Sequence, residues 1–315
     1  VTALLPSDPD ARATGIGGSD VAMILGVSRF GSAMRVYLEK RRQVAPLIET
    51  SRMRWGKILE EPVAREYEVQ SGRKVRRAAA FIRHPDYPWA FANIDRWSDL
   101  KGTPRRVLEV KTADVFSRSD FGEKGTDQVP PDYLLQVMWY LFVTGKDEAD
   151  MAVLVGGNDF GIYLIKRDDA LITKMLTICA AFWEDTQAGT PPEVDDTDAS
   201  AAYLRLTYRD SGAEREMDDD LMALAMRDEN LRLALDQQAK ERDLVRNQIR
   251  ELMGDARFAV GAGVKVTHSE VAGARVIDWP AIVAAVKVPP SVIEAHTKHR
   301  APTRQLRVSL KGIEA

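Results

Sequence analysis

Val107-Leu108-Glu109-Val110-Lys111-Thr112 constrains this chain more than any other stretch. Its apolar residues ask for a strand, yet the run is interrupted by a carboxylate and, two residues later, by a lysine. Residues two apart on a strand face the same way, so Glu109 and Lys111 project side by side. Ala92-Asn93-Ile94-Asp95 lies shortly before. If Asp95 ends the neighbouring strand, a second carboxylate converges on the pair. Two carboxylates and a backbone carbonyl, here that of Val110, are hard oxygen donors of the kind Mg2+ or Mn2+ prefers. A lysine beside them can hold an attacking water or stabilise charge developing on a phosphate. In a chain with 29% charged residues, a lone Glu-x-Lys strand is otherwise an ordinary half-exposed strand. The weight therefore rests on its surroundings.

At 315 residues the chain suits one large or two modest domains. No run approaches the roughly 18 apolar residues of a membrane span. The first residues, Val1-Thr2-Ala3-Leu4-Leu5-Pro6-Ser7-Asp8, lack the basic and apolar regions of a signal peptide. The single cysteine, Cys179, excludes an internal disulfide and a Cys-rich metal site. Within Leu176-Thr177-Ile178-Cys179-Ala180-Ala181-Phe182-Trp183 it reads as a buried structural thiol. A reducing, cytoplasmic setting and no membrane partner are expected. The net charge of -3 does not advertise a polyanion partner, but local fields steer one. Basic groups cluster from Arg35 to Arg42, at Arg73-Lys74-Val75-Arg76-Arg77 and from Lys298 to Arg307. Acidic ones gather at Glu193-Val194-Asp195-Asp196 and Asp218-Asp219-Asp220. Each basic run reads equally well as a solvated face.

Thr14-Gly15-Ile16-Gly17-Gly18-Ser19-Asp20 is turn-rich and leads into a helix over 21–25, with Ser19 or Asp20 as its cap. Ser32 opens a second helix with Met34, Tyr37 and Leu38 on one face. A third spans about 53–69, where Pro62 implies a kink or a late start. Strands are expected at 80–83, 89–94 and 106–112, with a turn over 99–104. An apolar helix at 133–143, strands at 151–155 and 161–165, and a helix at 168–186 follow. This order makes an α/β (α+β) mixed sheet flanked by helices. Composition changes at Gly189-Thr190-Pro191-Pro192. The boundaries expected are a first domain over 1–190, a linker and long helix over 191–255, and a small C-terminal α/β module over 256–315. The long helix, 218–253, carries Leu224, Leu231, Leu235, Val245, Ile249 and Leu252 at threes and fours. Gln238 and Arg242 break that stripe, which argues against a continuous coiled coil. The last module has strands near 263–268 and 306–310.

Arg54-Trp55-Gly56-Lys57-Ile58-Leu59-Glu60-Glu61-Pro62, Asp95 with Glu109-Val110-Lys111, and Tyr133-Leu134-Leu135-Gln136 occur in a characteristic order. In these elements the chain resembles the YqaJ-like viral recombinases, relatives of lambda-type alkaline exonucleases within the PD-(D/E)XK nucleases. The resemblance covers residues 12–188. It implies a restriction-endonuclease-like fold, with Asp95 and Glu109 binding metal directly and Lys111 positioning the water. It also places Glu60 on a helix beside the site, shaping the metal pocket or binding a second ion. In such exonucleases an arginine seven residues before a serine grips the 5′ phosphate of DNA, and Arg12 and Ser19 stand in that relation. An arginine fork, a hydroxyl and exposed N–H groups form an anion pocket. Two departures exist. The family's Gln-x-Gln is here Gln136-Val137-Met138, and a serine two residues before the aspartate is here Asn93, which can still donate to a phosphate.

The resemblance implies a Mg2+-dependent 5′-to-3′ exonuclease on linear double-stranded DNA that exposes 3′ strands for phage-type recombination. It also implies a single-strand annealing protein as partner and a homo-oligomer, possible as a trimer. Two rivals stand beside it: a structure-specific or repair endonuclease of the same fold, and a catalytically inactive DNA-binding or partner-docking protein. Only an end-dependent enzyme needs a terminal-phosphate pocket, and a pure binding module gains nothing from carboxylates clustered near DNA. In the C-terminal part Arg300, Arg304 and Arg307 could touch DNA, a partner or nothing.

Overall fold

The computed structural model describes residues 9–44, 49–78, 81–208, 211–270, 273 and 277–297. The chain starts with helices α1 (Pro9–Arg12), α2 (Gly18–Ile24), α3 (Ala33–Lys40) and α4 (Ser51–Ser71). Strands β1 (Lys74–Arg77), β2 (Ile82–Arg83), β3 (Phe91–Ala92), β4 (Arg96–Asp99) and β5 (Arg106–Ala113) follow. Then come α5 (Pro131–Thr144), β6 (Glu148–Val155), β7 (Asp159–Lys166), α6 (Asp169–Ala188) and α7 (Asp198–Thr207). Five strands make one mixed sheet in the order β1-β4-β5-β6-β7. Only β5 and β6 pair in parallel, and a parallel pair needs a long crossover, which α5 supplies.

Helices cover both faces of the sheet. Along β5 the alternation assigns Val107 to the cluster with α5 and α6, and Leu108 and Val110 to the cluster with Val63, Ala64 and Tyr67 of α4. Glu109 and Lys111 thus share the Val107 side, towards α5. From Met151 to Val155, β6 reads as a continuous apolar run in sequence, as a strand covered on both faces does. The expected helical face of Met34, Tyr37 and Leu38 is buried as a satellite cluster. Cys179 is fully buried, and burial pushes its thiol up to about 12.

Several expectations need correction. The strand expected over 89–94 shrinks to β3, which pairs with β2 in a separate ribbon; Ala80, expected to begin β2, lies outside the described residues. Asp95 therefore does not end a strand but directly precedes β4. Helix α4 starts before Met53 and runs through Pro62, so the proline does not delay its start. Neither Ser19 nor Asp20 is the cap of α2; Gly17 is, and Asp20 Oδ2 reaches back to accept the Gly17 N–H at 2.9 Å.

In the basic run at 73–77, Lys74, Arg76 and Arg77 are exposed, as on a solvated face, whereas Arg73 is not. Arg73 is buried and donates to Ser98 Oγ at 2.6 Å and to the Ser98 and Pro104 carbonyls. Arg76 and Arg77 pair with Asp99 and Glu61. Tyr67 Oη donates to Asp150 Oδ2 at 2.5 Å, and burial followed by the Asp150 charge raises its hydroxyl above the ordinary tyrosine value. These groups form a satisfied polar lattice that ties α4 to the sheet.

The chain divides into two compact units, 1–209 and 210–315. The second contains α8 (Asp219–Met253), the hairpin of β8 (Phe258–Gly261) and β9 (Val264–Thr267), α9 (Trp279–Val286) and α10 (Pro290–His296). Asp218 caps α8 by accepting the Leu221 N–H at 2.9 Å. Leu224, Leu231 and Leu235 of that helix are exposed. The strand expected over 306–310, the basic run from Lys298, and Arg300, Arg304 and Arg307 lie outside the described residues. Among the described residues, no helix is long and apolar enough to cross a membrane.

Candidate active site

Antiparallel pairing joins Arg96 to Leu108, so Asp95, one step earlier, stands abreast of Glu109. Asp95 Oδ2 accepts the Val110 N–H at 2.9 Å, which fixes its carboxylate against β5. Glu109 is 2% exposed, and Lys111 Nζ lies 2.7 Å from Glu109 Oε1. Gln136 on α5 closes the group: its Oε1 accepts from Lys111 Nζ at 3.1 Å, and its Nε2 donates to Glu109 Oε1 at 3.0 Å and to Tyr140 Oη at 2.7 Å. Lys111 Nζ also sits 5.1 Å from the centre of the Tyr133 ring, a cation–π distance.

Electrostatics follows from burial and the two like charges. Burial first and the Glu109 charge second push the Asp95 carboxyl well above its ordinary range. Burial alone would lower the Lys111 ammonium, but Glu109 and then Asp95 outweigh it and hold its value above that of a free lysine. Lys111 is thus a fixed cation at neutral pH. Burial, Glu109 and Asp95 raise the Tyr140 hydroxyl as well, so it remains a hydrogen-bonding group and not a base.

Glu109 Oε2 is buried with no hydrogen-bond partner. A buried carboxylate oxygen left bare is costly, and a cation would satisfy it. The donor set of Asp95, Glu109 and the Val110 main chain, all lining one cleft, suits a hard divalent ion. Among the described residues no three His, Cys, Asp or Glu side chains cluster into a metal cage. Glu60 Oε1 is instead held by Arg96 Nη1 at 2.5 Å.

The cleft, about 440 Å3, is bordered by Glu60, Asn93, Asp95, Glu109, Lys111 and Gln136, and also by Arg12 and Ser19. Every candidate side chain named from sequence thus reaches one space; Met138 is instead buried in the core of α5. Two positions on from Gln136, Met138 points about 200° around the helix. Tyr140, four positions on, shares the Gln136 face and takes up its amide. Glu61 does not border the cleft; Arg96 Nη2 holds it at 3.1 Å. Glu61→Ala is therefore expected to leave the activity of this cleft nearly intact. If the cleft holds a cation, Glu60→Ala should lose about ten- to a hundredfold, as groups beside a bound metal do. A larger loss at Glu61 in a cleavage assay would show that the register along α4 is wrong.

Close packing seats the Arg12–Ser19 arm. Ile16 bridges to Ala90 in parallel, through Ile16 N to the Trp89 carbonyl at 2.7 Å and Phe91 N to the Ile16 carbonyl at 3.0 Å. A methyl on Gly17 would lie 2.7 Å from the Phe91 ring, and one on Gly18 only 2.5 Å from Tyr140 Cε1. The glycines are needed for approach.

Sequence reasoning missed Asp20, Lys40 and Tyr140. Asp20 Oδ2 accepts from Lys40 Nζ at 2.6 Å, and Arg12 Nη2 lies 3.4 Å from Asp20 Oδ1. Burial would raise the Asp20 carboxyl, but the charges of Lys40 and then Arg12 hold it below the ordinary range. Lys40 stands in a basic run, which hid it; the four-residue spacing to Gln136 was the signal available for Tyr140.

The YqaJ-like viral recombinase domain matches residues 9–147. The uncharacterized protein YqaJ of Bacillus subtilis (strain 168) is 34% identical over 258 residues, which cover 78% of this chain and 77% of that protein. Among solved structures, an alkaline exonuclease (LHK-Exo) from Laribacter hongkongensis superposes with a TM-score of 0.46 at 21% identity, covering 57% of this chain and 92% of the other. A phage related exonuclease from Haemophilus somnus 129PT gives a TM-score of 0.43 at 15% identity, covering 57% and 96%. By the domain match and the extent of identity with the Bacillus protein, this chain belongs to the YqaJ-like viral recombinase family.

Proposed function

We propose that this protein is a Mg2+-dependent exonuclease that degrades one strand of linear duplex DNA from its 5′ end. Family membership supports nuclease action on DNA in general. The observation that carries the finer reading is the presence of Arg12 and Ser19 in the same cleft as Asp95, Glu109 and Lys111. An endonuclease has no use for a terminal-phosphate pocket beside its cleavage centre, and an inactive binding protein has no use for paired buried carboxylates.

Asp95, Glu109 and the Val110 carbonyl would hold the ion, with Mn2+ as a substitute, and Glu60 would border it. When bound, the cation offsets negative charge on the phosphate under attack. Lys111, fixed by Glu109 and Gln136, donates a hydrogen bond from Nζ to the attacking water or to a phosphate oxygen. Gln136 holds the Lys111 and Glu109 side chains at their spacing, and Tyr140 holds Gln136. Arg12 and Ser19 grip the terminal phosphate and set which bond meets Lys111, with Asn93 as a further donor. We assign this chemistry to the domain over 1–190, with 191–255 and 256–315 as linker-helix and C-terminal module. A homo-oligomer and a single-strand annealing partner fit the same role in recombination.

Degradation of end-labelled linear DNA tests the reading. Mononucleotide release is expected from the 5′-ended strand with Mg2+ and none with EDTA, while covalently closed circles should survive. Cleavage of closed circles at a comparable rate would favour the endonuclease reading, and the absence of any cleavage would favour the binding protein.

A further inference from the structure

Asp20 and Lys40 form a buried ion pair that the cleavage chemistry does not use. Their side chains are each 1% exposed, with Nζ and Oδ2 2.6 Å apart. Replacing such a pair by apolar groups is often neutral or stabilising, so stability alone is a weak reason to find it here. Its placement is specific. Lys40 Nζ also donates to the main-chain oxygen of Arg12 at 2.9 Å, and Asp20 Oδ2 takes the Gly17 N–H. The pair thus grips both ends of the segment that carries Arg12 towards the cleft. Arg12, Asp20 and Lys40 together bear one net positive charge. Of the three, only Arg12 is substantially open, with its side chain 43% exposed and its contact to Asp20 loose at 3.4 Å.

We propose that Lys40 is the positioning residue of the terminal-phosphate pocket. It cancels the Asp20 charge and pins the Arg12 main chain, so that the Arg12 guanidinium is left for a 5′ phosphate. The inference rests on the reading of Arg12 given above. Without the Lys40 charge, the buried Asp20 would present an uncancelled carboxylate to Arg12. Guanidinium and carboxylate bind each other strongly, and an incoming phosphate would have to displace that contact. Ser19 and the cleavage residues would be untouched.

The test is the ratio of initial rates on 5′-phosphorylated and 5′-hydroxyl linear duplexes at one salt concentration, using the full chain. The ratio divides out the amount of folded enzyme, so partial misfolding of a variant does not obscure it. Wild type is expected to favour the phosphorylated end by roughly tenfold or more, and Arg12→Ala to lose that preference. Lys40→Gln keeps an N–H donor, on a stem one atom shorter, but not the charge, and its ratio should fall to about threefold or less, since Asp20 then competes for Arg12. Adding Asp20→Asn to Lys40→Gln should restore a ratio near that of wild type. A purely structural Lys40 would leave Lys40→Gln at the wild-type ratio while Arg12→Ala loses it, overturning the inference and sparing the pocket. A double variant no better than Lys40→Gln would also overturn it. A wild-type ratio of one would instead remove the pocket itself, and the role of Lys40 with it.

Discussion

Alanine at Asp95, Glu109 or Lys111 is expected to lower DNA cleavage by about a thousandfold or more, because each variant would remove a charge from the centre at which we propose the phosphate reacts. The three groups stand within one hydrogen-bonded set: Asp95 on the Val110 N–H, Glu109 on Gln136 and Lys111. The fold should survive, since the apolar clusters on both faces of β5 are left intact. Stability gives an independent readout. The folded-state value of Asp95 is raised by burial and by Glu109. Its contribution to stability is therefore complete below the unfolded carboxylate range and is lost as pH rises through the folded value. At neutral pH without metal it is a cost, and Asp95→Asn should melt higher than wild type in EDTA, by a margin that grows with pH. Full Mg2+-dependent cleavage by any of the alanine variants in single-turnover assays would refute the assignment. A lower melting temperature for Asp95→Asn in EDTA would refute the electrostatic account.

Removing Arg12 should abolish discrimination between DNA ends while leaving attachment to the duplex. A charge-assisted contact of this kind contributes roughly 1.5–3 kcal/mol, or on the order of ten- to a hundredfold in rate if it sets the reacting bond. Its exposed guanidinium reaches the cleft that Asp95 and Glu109 border, so a phosphate there would be oriented as well as bound. Arg12→Ala should therefore degrade 5′-phosphorylated and 5′-hydroxyl duplexes equally, at the slower of the wild-type rates. The comparison must be made at one ionic strength, because phosphate contacts weaken with salt. An undiminished preference in Arg12→Ala would move the pocket elsewhere.

The parts of this molecule legible in sequence are those where local pattern and tertiary environment agree. The β5, β6 and β7 strands, helices α3, α5 and α6, and the burial of Cys179 followed from periodicity, since each element buries the face its pattern advertises. Strand spacing brought out Glu109 and Lys111, whereas Gln136 was pointed to only by the resemblance and Asp95 joins them from the start of β4, not from the end of the strand expected before it. What escaped has a common physical cause. Strands β1 and β4, with Lys74-Val75-Arg76-Arg77 and Arg96-Trp97-Ser98-Asp99, are too short and charged to show an apolar alternation; pairing to β5 makes them strands. Arg73 and Lys40 each sit in basic runs, and only a partner far along the chain, Ser98 in one case and Asp20 in the other, explains their burial. Pairing across such distances leaves no periodic trace.

The contact between Gly18 and the Tyr140 ring has a consequence for how this sequence can drift. With 2.5 Å available to a first carbon, a side chain at position 18 would require the Tyr140 ring to move or to be replaced by a smaller group. A smaller residue at 140 would withdraw the hydroxyl that accepts from Gln136. The two positions are therefore coupled in what they can accept, and alanine at 18 should disturb the Tyr140 hydroxyl that accepts from Gln136.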